Sequence, residues 1–419
     1  MATEAKAAEP GVPATPPPRR GTFSSLQYRD YRYLWLGQTG HAASLWMEQI
    51  VRPVLILQLT DSPLQVGLVV ATRMVPMLFF GLLAGVIADR VDRKRILLAT
   101  QSVTAAVHFL MAVLVLSGVI EPWHVFATTF VSGTSMAFNQ PARQSLIPTL
   151  VPREALLNAV ALNTSAINVM RIVGPSIAGV LLLSGVGSVY LLNGGIIMAV
   201  MLVTFLMVIP FQPRTAEQAS SWREDLNESF AFVRRTPQVF WIIGPSLVFF
   251  VTGLSYLSVF VPLFAKDVLD LGDSGVGALV AVTGAGALIG SLILASQSSI
   301  KRRGLLTLGF LSMFSIGLLL FSRSTLLPVS IVTLMLASSM SASYMSLTNS
   351  LLLELSPPDL HGRVMSLMSL DRGLVPLGAI IAGVLADTLG PQDGLLIMAA
   401  TCLTLTIVVA MFAAPLRRI

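Results

Sequence analysis

Glu48 and Arg52 stand four residues apart inside a long apolar run, and Pro53 follows them. An ionisable side chain in hydrocarbon costs about 3 kcal/mol or more, so such residues mark ion and substrate pathways. An acid four residues ahead of a base on a helix can pair with it. A carboxylate buried beside a guanidinium changes its proton affinity when that neighbour moves. At about 100° per residue, Gln38, His41, Glu48, Gln49 and Arg52 fall on one stripe facing a cavity or a partner helix. Pro53 should kink the helix there. A proton-coupling role for Glu48 with Arg52 is set against a static Glu48–Arg52 pair.

Other polar residues interrupt later runs. Thr164, Asn168, Arg171, Pro175 and Gly179 share one helical face, where Asn168 and Arg171 can meet a substrate or water, or Arg171 an acid across the bundle. Asp371 and Arg372 are adjacent, and Asp371 is the second deep carboxylate and the alternative coupling acid. Arg73, ahead of Pro76, reads as a structural anchor reaching the outer interface. The stretch from Ser338 to Asn349 is rich in hydroxyls and includes Tyr344. It predicts either tight small-residue packing or a hydrated cavity wall. With Met335, Met340 and Met345 as adaptable apolar surface, such a wall suits amphipathic molecules.

Several chemistries are missing. No Gly-Lys-Ser/Thr loop cradles a phosphate, the His residues are scattered, and the lone Cys402 has no metal-ligand partner. No catalytic constellation, metal or cofactor is expected, so energy must come from a gradient. Hydrophobic residues make up 54% of the chain and charged residues 11%, with a mean hydropathy of +0.78. A soluble domain is about 25% charged. The net charge of +6 is spread over short hydrophilic gaps, which argues against nucleic acid and for a lipid bilayer as the surrounding partner.

The elements that must hold these residues are membrane helices. Apolar runs begin near Tyr33, Leu64, Ile96, Trp123, Leu156, Val189, Val239, Gly275, Leu305, Leu326, Val364 and Leu395. Each is long enough to span about 30 Å as a helix. Twelve spans put both termini on one side. With that side cytoplasmic, the opposite side holds only Lys266 and Arg323, as the positive-inside rule requires. The basic turn Asp89–Arg95 is one of the cytoplasmic segments. The expected layout is a disordered tail over residues 1–22, a six-helix bundle over 23–211, a linker over 212–237 and a second bundle over 238–419. Trp222, Leu226, Phe230 and Val233 give that linker one apolar helical face. Gly81 and Gly85 recur as Gly286 and Gly290, and Pro152 as Pro357, at an offset of 205 residues. Arg171 and Pro175 recur as Arg372 and Pro376 at 201. Such duplication marks transporters that rock two halves about a midplane site.

The chain resembles the major facilitator superfamily. Gly85, Ala88, Asp89, Arg90, Arg93 and Lys94 match its signature between helices two and three, with Asp92 in place of a second glycine. Gly174, Pro175 and Gly179 match the signature of its antiporter branches, and Pro141–Gly179 is similar to the enterobactin-exporter-like efflux branch. The resemblance implies an all-α fold of twelve transmembrane helices in two pseudo-symmetric bundles, in a bacterial inner membrane. It also implies a latch in which Asp89 meets the start of helix eleven, and an outer position for helix three that makes His108 a packing residue. The helix-four arginine of drug/proton antiporters is missing from Trp123–Gln140, so their coupling scheme does not carry over. The expected function is proton-coupled export of a small amphipathic drug or siderophore by a monomer. The alternatives are a metabolite facilitator or importer, a lipid flippase, or a non-transporting membrane sensor or enzyme.

Overall fold

The computed structural model describes residues 23–209, 236–296, 302–355 and 373–417, and every regular element among them is helical. Hydrocarbon dictates this, because a helix satisfies its backbone N–H and C=O groups within one segment. The first half holds α1 (Arg29–Thr60), α2 (Pro63–Arg90), α3 (Arg93–Leu116), α4 (Pro122–Gln144), α5 (Arg153–Leu182) and α6 (Val186–Leu206). The second holds α7 (Pro237–Val268), α8 (Gly272–Ser296), α9 (Arg303–Ser322), α10 (Leu327–Leu355), α11 (Val375–Leu389) and α12 (Pro391–Phe412). Among the described residues nine helices are long and apolar enough to cross a membrane, and Val375–Leu389 is a shorter apolar one. The first and fourth expected runs form α1 and α4, long helices diluted by their polar side chains. Residues 1–22 and most of the expected linker lie outside the described residues.

Local chemistry sets the boundaries. Proline opens α2, α4, α7 and α12, where its missing N–H costs nothing. The Asp92 side chain accepts the Lys94 backbone N–H at 2.9 Å and caps α3. Lys94 Nζ donates to the Phe205 and Met207 carbonyls at the end of α6, and Arg93 Nη1 to the Ser145 carbonyl past α4.

The halves meet along two seams, α2 against α11 and α5 against α8. Glycine makes both possible. A methyl on Gly179 would lie 2.8 Å from the Gly277 Cα, and one on Gly67 would collide with the Ala379 carbonyl. At the same end Lys266 Nζ donates to the Asp61 carboxylate at 2.7 Å, and Ser62 Oγ to Asp387 at 3.2 Å. Asp61 and Lys266 are separated by the same 205 residues that relate the halves, so the pair sits where the pseudo-two-fold axis emerges.

Toward the other end the halves part. The α5 face that carries Gly179, Pro175 and Ile172 carries Asn168, Ser165 and Ala161 further along, and these are exposed. The α8 face of Gly277 and Gly284 leads on to Leu288, 44% exposed. A second α5 stripe, Val169, Val173 and Val180, is exposed and wholly apolar. The polar stripe thus faces a cleft between the halves, and the valine stripe faces lipid.

Candidate functional site

Glu48 is buried inside the first half. Arg52 Nε donates to its Oε1 at 2.8 Å, and Arg52 Nη2 bonds the same oxygen. The i,i+4 spacing brings the two together, as the sequence implied. Arg73 Nη2, from α2, stands 3.2 Å from Glu48 Oε2, and His108 Nε2, from α3, 3.4 Å from Oε1. Arg52 also donates to Thr129 Oγ1 at 2.6 Å and Ser132 Oγ at 2.8 Å on α4. One carboxylate therefore serves two guanidiniums. Arg52 is tied down on three sides; Arg73 reaches Glu48 alone among the described residues.

Beside this cluster lies a cavity of about 30 Å³, lined among others by His41, Glu48, Arg73, His108, Ser132 and Asn139. That is room for one or two water molecules. His41 Nε2 and His108 Nδ1 find no partner among the described residues, so the lining is polar and unsaturated there. Arg143, two turns from Ser135 on α4, is 3% exposed; its Nε donates to Asn139 Oδ1 at 3.2 Å.

The expected stripe on α1 therefore divides. Gln38 is buried, and His41, Glu48 and Arg52 look into the first half. Gln49 looks across to the second half, where its Nε2 donates to Ser258 Oγ at 2.7 Å. His41, expected in the substrate cavity, lines the small cavity beside Glu48. α7 is unusual at the crossing: Tyr256–Phe260 is a π-helical stretch, as are Phe249–Gly253 and Phe264–Val268, and such wide turns recur at functional sites.

Two expectations are corrected. Arg73 is buried against Glu48 instead of reaching the outer interface, because the carboxylate already lies within its span. His108 is fully buried, faces the same carboxylate and is not on a lipid face. A sequence signal existed for it: Gln101, Thr104 and His108 recur three and four residues apart on α3, a polar stripe that lipid would reject.

The cleft wall holds the other expected residues. Asn168 is exposed on α5. The Arg171 guanidinium lies 5.2 Å from the centre of the Trp46 ring on α1. Gly174 packs close against Trp46, and the Pro175 carbonyl and Gly179 against Gly277. Asn349 is half-buried. Tyr344 corrects an expectation: it is 1% exposed, with its ring 5.2 Å from Phe249 in the second half's core. Of the α10 hydroxyls, Ser338 and Ser339 belong to packing, since Gly286 and Gly290 of α8 press on them, while Ser346 is exposed. Gly85, Asp89 and Arg90 end α2, while Asp371, Arg372 and the start of helix eleven lie outside the described residues.

Two helical halves closed at one end around a cleft define a major facilitator transporter. Solved structures agree on the fold. A bacterial homolog of the human lysosomal transporter Spinster superposes with a TM-score of 0.72, covering 93% of this chain and 97% of that one at 14% identity. The nucleoside transporter NupG gives 0.70 at 16% identity, covering 92% and 99%. The model of the transmembrane secretion effector family matches residues 20–419. The chain belongs to that family: it is a multi-pass membrane efflux transporter and not an enzyme. Macrolide efflux protein A of Streptococcus pyogenes is 26% identical, over 90% of this chain and 94% of its own. The staphyloferrin A transporter of Staphylococcus aureus is 27% identical over 87% and 91%, and the enterobactin exporter EntS of Shigella boydii 29% over 80% and 79%.

Proposed function

We propose that this transporter moves a small amphipathic molecule out of a bacterial cell in exchange for protons, with Glu48 as the coupling group. The observation that carries the reading is the buried Glu48–Arg52–Arg73–His108 cluster with its polar cavity. A static ion pair needs one base; here a second base, Arg73, comes from a different helix. α2 carries Pro76 one turn from Arg73 and forms a seam with α11. A change at that seam would shift Arg73 relative to Glu48, while Arg52 moves with its own helix. Withdrawal of Arg73 favours a protonated Glu48, and its return favours release. Asp371 is the alternative acid.

The positive-inside rule places the basic α2–α3 turn and both termini in the cytoplasm. The sealed end with Asp61 and Lys266 then faces out, and the cleft opens inward, ready to load. The bundles over residues 23–211 and 238–419 rock within one monomer, joined by the linker over 212–237. Gly85, Asp89 and Arg90 latch the first half to helix eleven when the cleft is closed inward; Arg93 and Lys94 brace the turn against α4 and α6.

The test is accumulation of dyes and catecholate siderophores in cells with and without the protein, with an uncoupler added. Lower accumulation that the uncoupler reverses is expected. Energy-dependent uptake would overturn export, and indifference to the uncoupler would overturn proton coupling.

A further inference from the structure

Arg171 is half-exposed at the level where the halves part. Its carbonyl and the neighbouring Ile172 touch Gly284 of α8, so it sits at the head of the cleft. Its guanidinium rests on the face of Trp46. It makes no hydrogen bond and no ion pair with any described residue. A guanidinium carries five N–H donors in a fixed fork. Lying over the indole, Arg171 keeps that fork at the head of the cleft. The other charged side chains of the first half's interior do not reach it. Glu48 is spent on Arg52 and Arg73 behind α1.

The surroundings add a recognisable pattern. Asn168 lies one turn away on the exposed face of α5. Across the cleft head, Gln49 and Ser258 bridge the halves. The site thus offers a positive fork, the Asn168 amide one turn away and the Trp46 indole. A cationic substrate would meet a guanidinium that no described residue neutralises. An oxyanion would meet a donor pair of matching geometry that no described residue occupies.

We propose that Arg171, seated on Trp46, is the anchor for a carboxylate or similar delocalised oxyanion on the transported molecule, so the substrate is an anionic amphipath. This rests on the export reading above and narrows its substrate. A bound anionic lipid headgroup would offer the same chemistry, and the experiment separates the two.

The purified protein in neutral detergent is titrated with two dyes on one xanthene skeleton, the anionic fluorescein and the cationic rhodamine 6G, read by anisotropy. Fluorescein is expected to bind at least tenfold more tightly than rhodamine 6G. Arg171→Gln should weaken fluorescein roughly tenfold or more, the loss of a charge-assisted pair. Arg171→Lys should restore part of that affinity. The melting temperature of Arg171→Gln should stay near wild type, because no ion pair with a described residue is broken. Absent fluorescein binding, equal binding of both dyes, or unchanged affinity in Arg171→Gln would overturn the proposal. Loss of fluorescein binding on adding phosphatidylglycerol would assign the fork to a lipid headgroup and also overturn it. Direction is measured separately: inward accumulation of a fluorescein that still binds through Arg171 would overturn export while leaving the anion site standing.

Discussion

The two halves share a scaffold and differ in what fills it. At the 205-residue offset, Glu48 corresponds to Gly253, Arg52 to Leu257 and Arg73 to Ala278. Where the first half buries a carboxylate and two guanidiniums, the second buries rings. A side chain at Gly253 would strike Phe314, which stacks edge-on against Phe249 and Tyr256. The apolar version holds a six-helix bundle together, so the charges are not needed for the fold. Replacing a buried ion cluster by apolar groups is often neutral or stabilising, whereas removing one partner is costly. On the proposed reading the charged half carries the ion, and Asp371 of the second half is the alternative.

The sharpest way to break this comparison is to unbalance the cluster. Glu48→Leu strands Arg52 and Arg73 and should cost about 3–5 kcal/mol, read as lost folded protein by size-exclusion fluorescence. The triple variant Glu48→Leu, Arg52→Leu, Arg73→Leu should recover the fold, as the second half does with apolar residues. If the triple variant is no better than the single one, the charges are structural and the contrast fails.

A smaller effect tests what the halves share. Gly277→Val puts a branched side chain into the α5–α8 seam, and overpacking costs about 1–3 kcal/mol. The end with Asp61 should then open more readily, slowing transport about tenfold and raising the reactivity of a cysteine placed at Ser274. Smaller again is the basic turn, where Asp89 has Leu294 as its counterpart. Asp89→Asn should keep the fold and slow turnover several-fold, since a charge at a helix terminus contributes about 0.3–2 kcal/mol. Unchanged transport would count the latch out.

The smallest effect belongs to Asp61 and Lys266. Lys266 holds the exposed Asp61 carboxyl below its usual range. A carboxyl lowered in this way contributes to the sealed end above about pH 4 and loses that contribution as the pH falls further. Asp61→Asn should therefore leave the pH profile of transport between about pH 5 and 8 unchanged. A shifted profile would move pH sensing to this end of the molecule.

Much of the scaffold was legible in the sequence because hydrocarbon leaves few choices: apolar length gives spans, and Gly179 of the Gly174–Pro175 motif lies in a seam. The Glu48–Arg52 pair was legible because its spacing lies on one helix. The contacts of Arg73 and His108 were not, although the Gln101–Thr104–His108 stripe marks a polar face of α3, because contacts between helices depend on rotations that a single run does not encode. The α10 hydroxyls were ambiguous for the same reason: a serine packed against glycine and a serine facing water look alike until the neighbour is known. The π-helical turns of α7 had no sequence signal beyond Pro245 and Pro262.

The central claim is that Glu48 carries the coupling ion. It is tested most directly by reconstituting Glu48→Gln in liposomes under an imposed pH gradient. The account predicts that pH-driven transport of fluorescein is abolished while binding of the same dye persists. Transport at the wild-type rate under the gradient would contradict it.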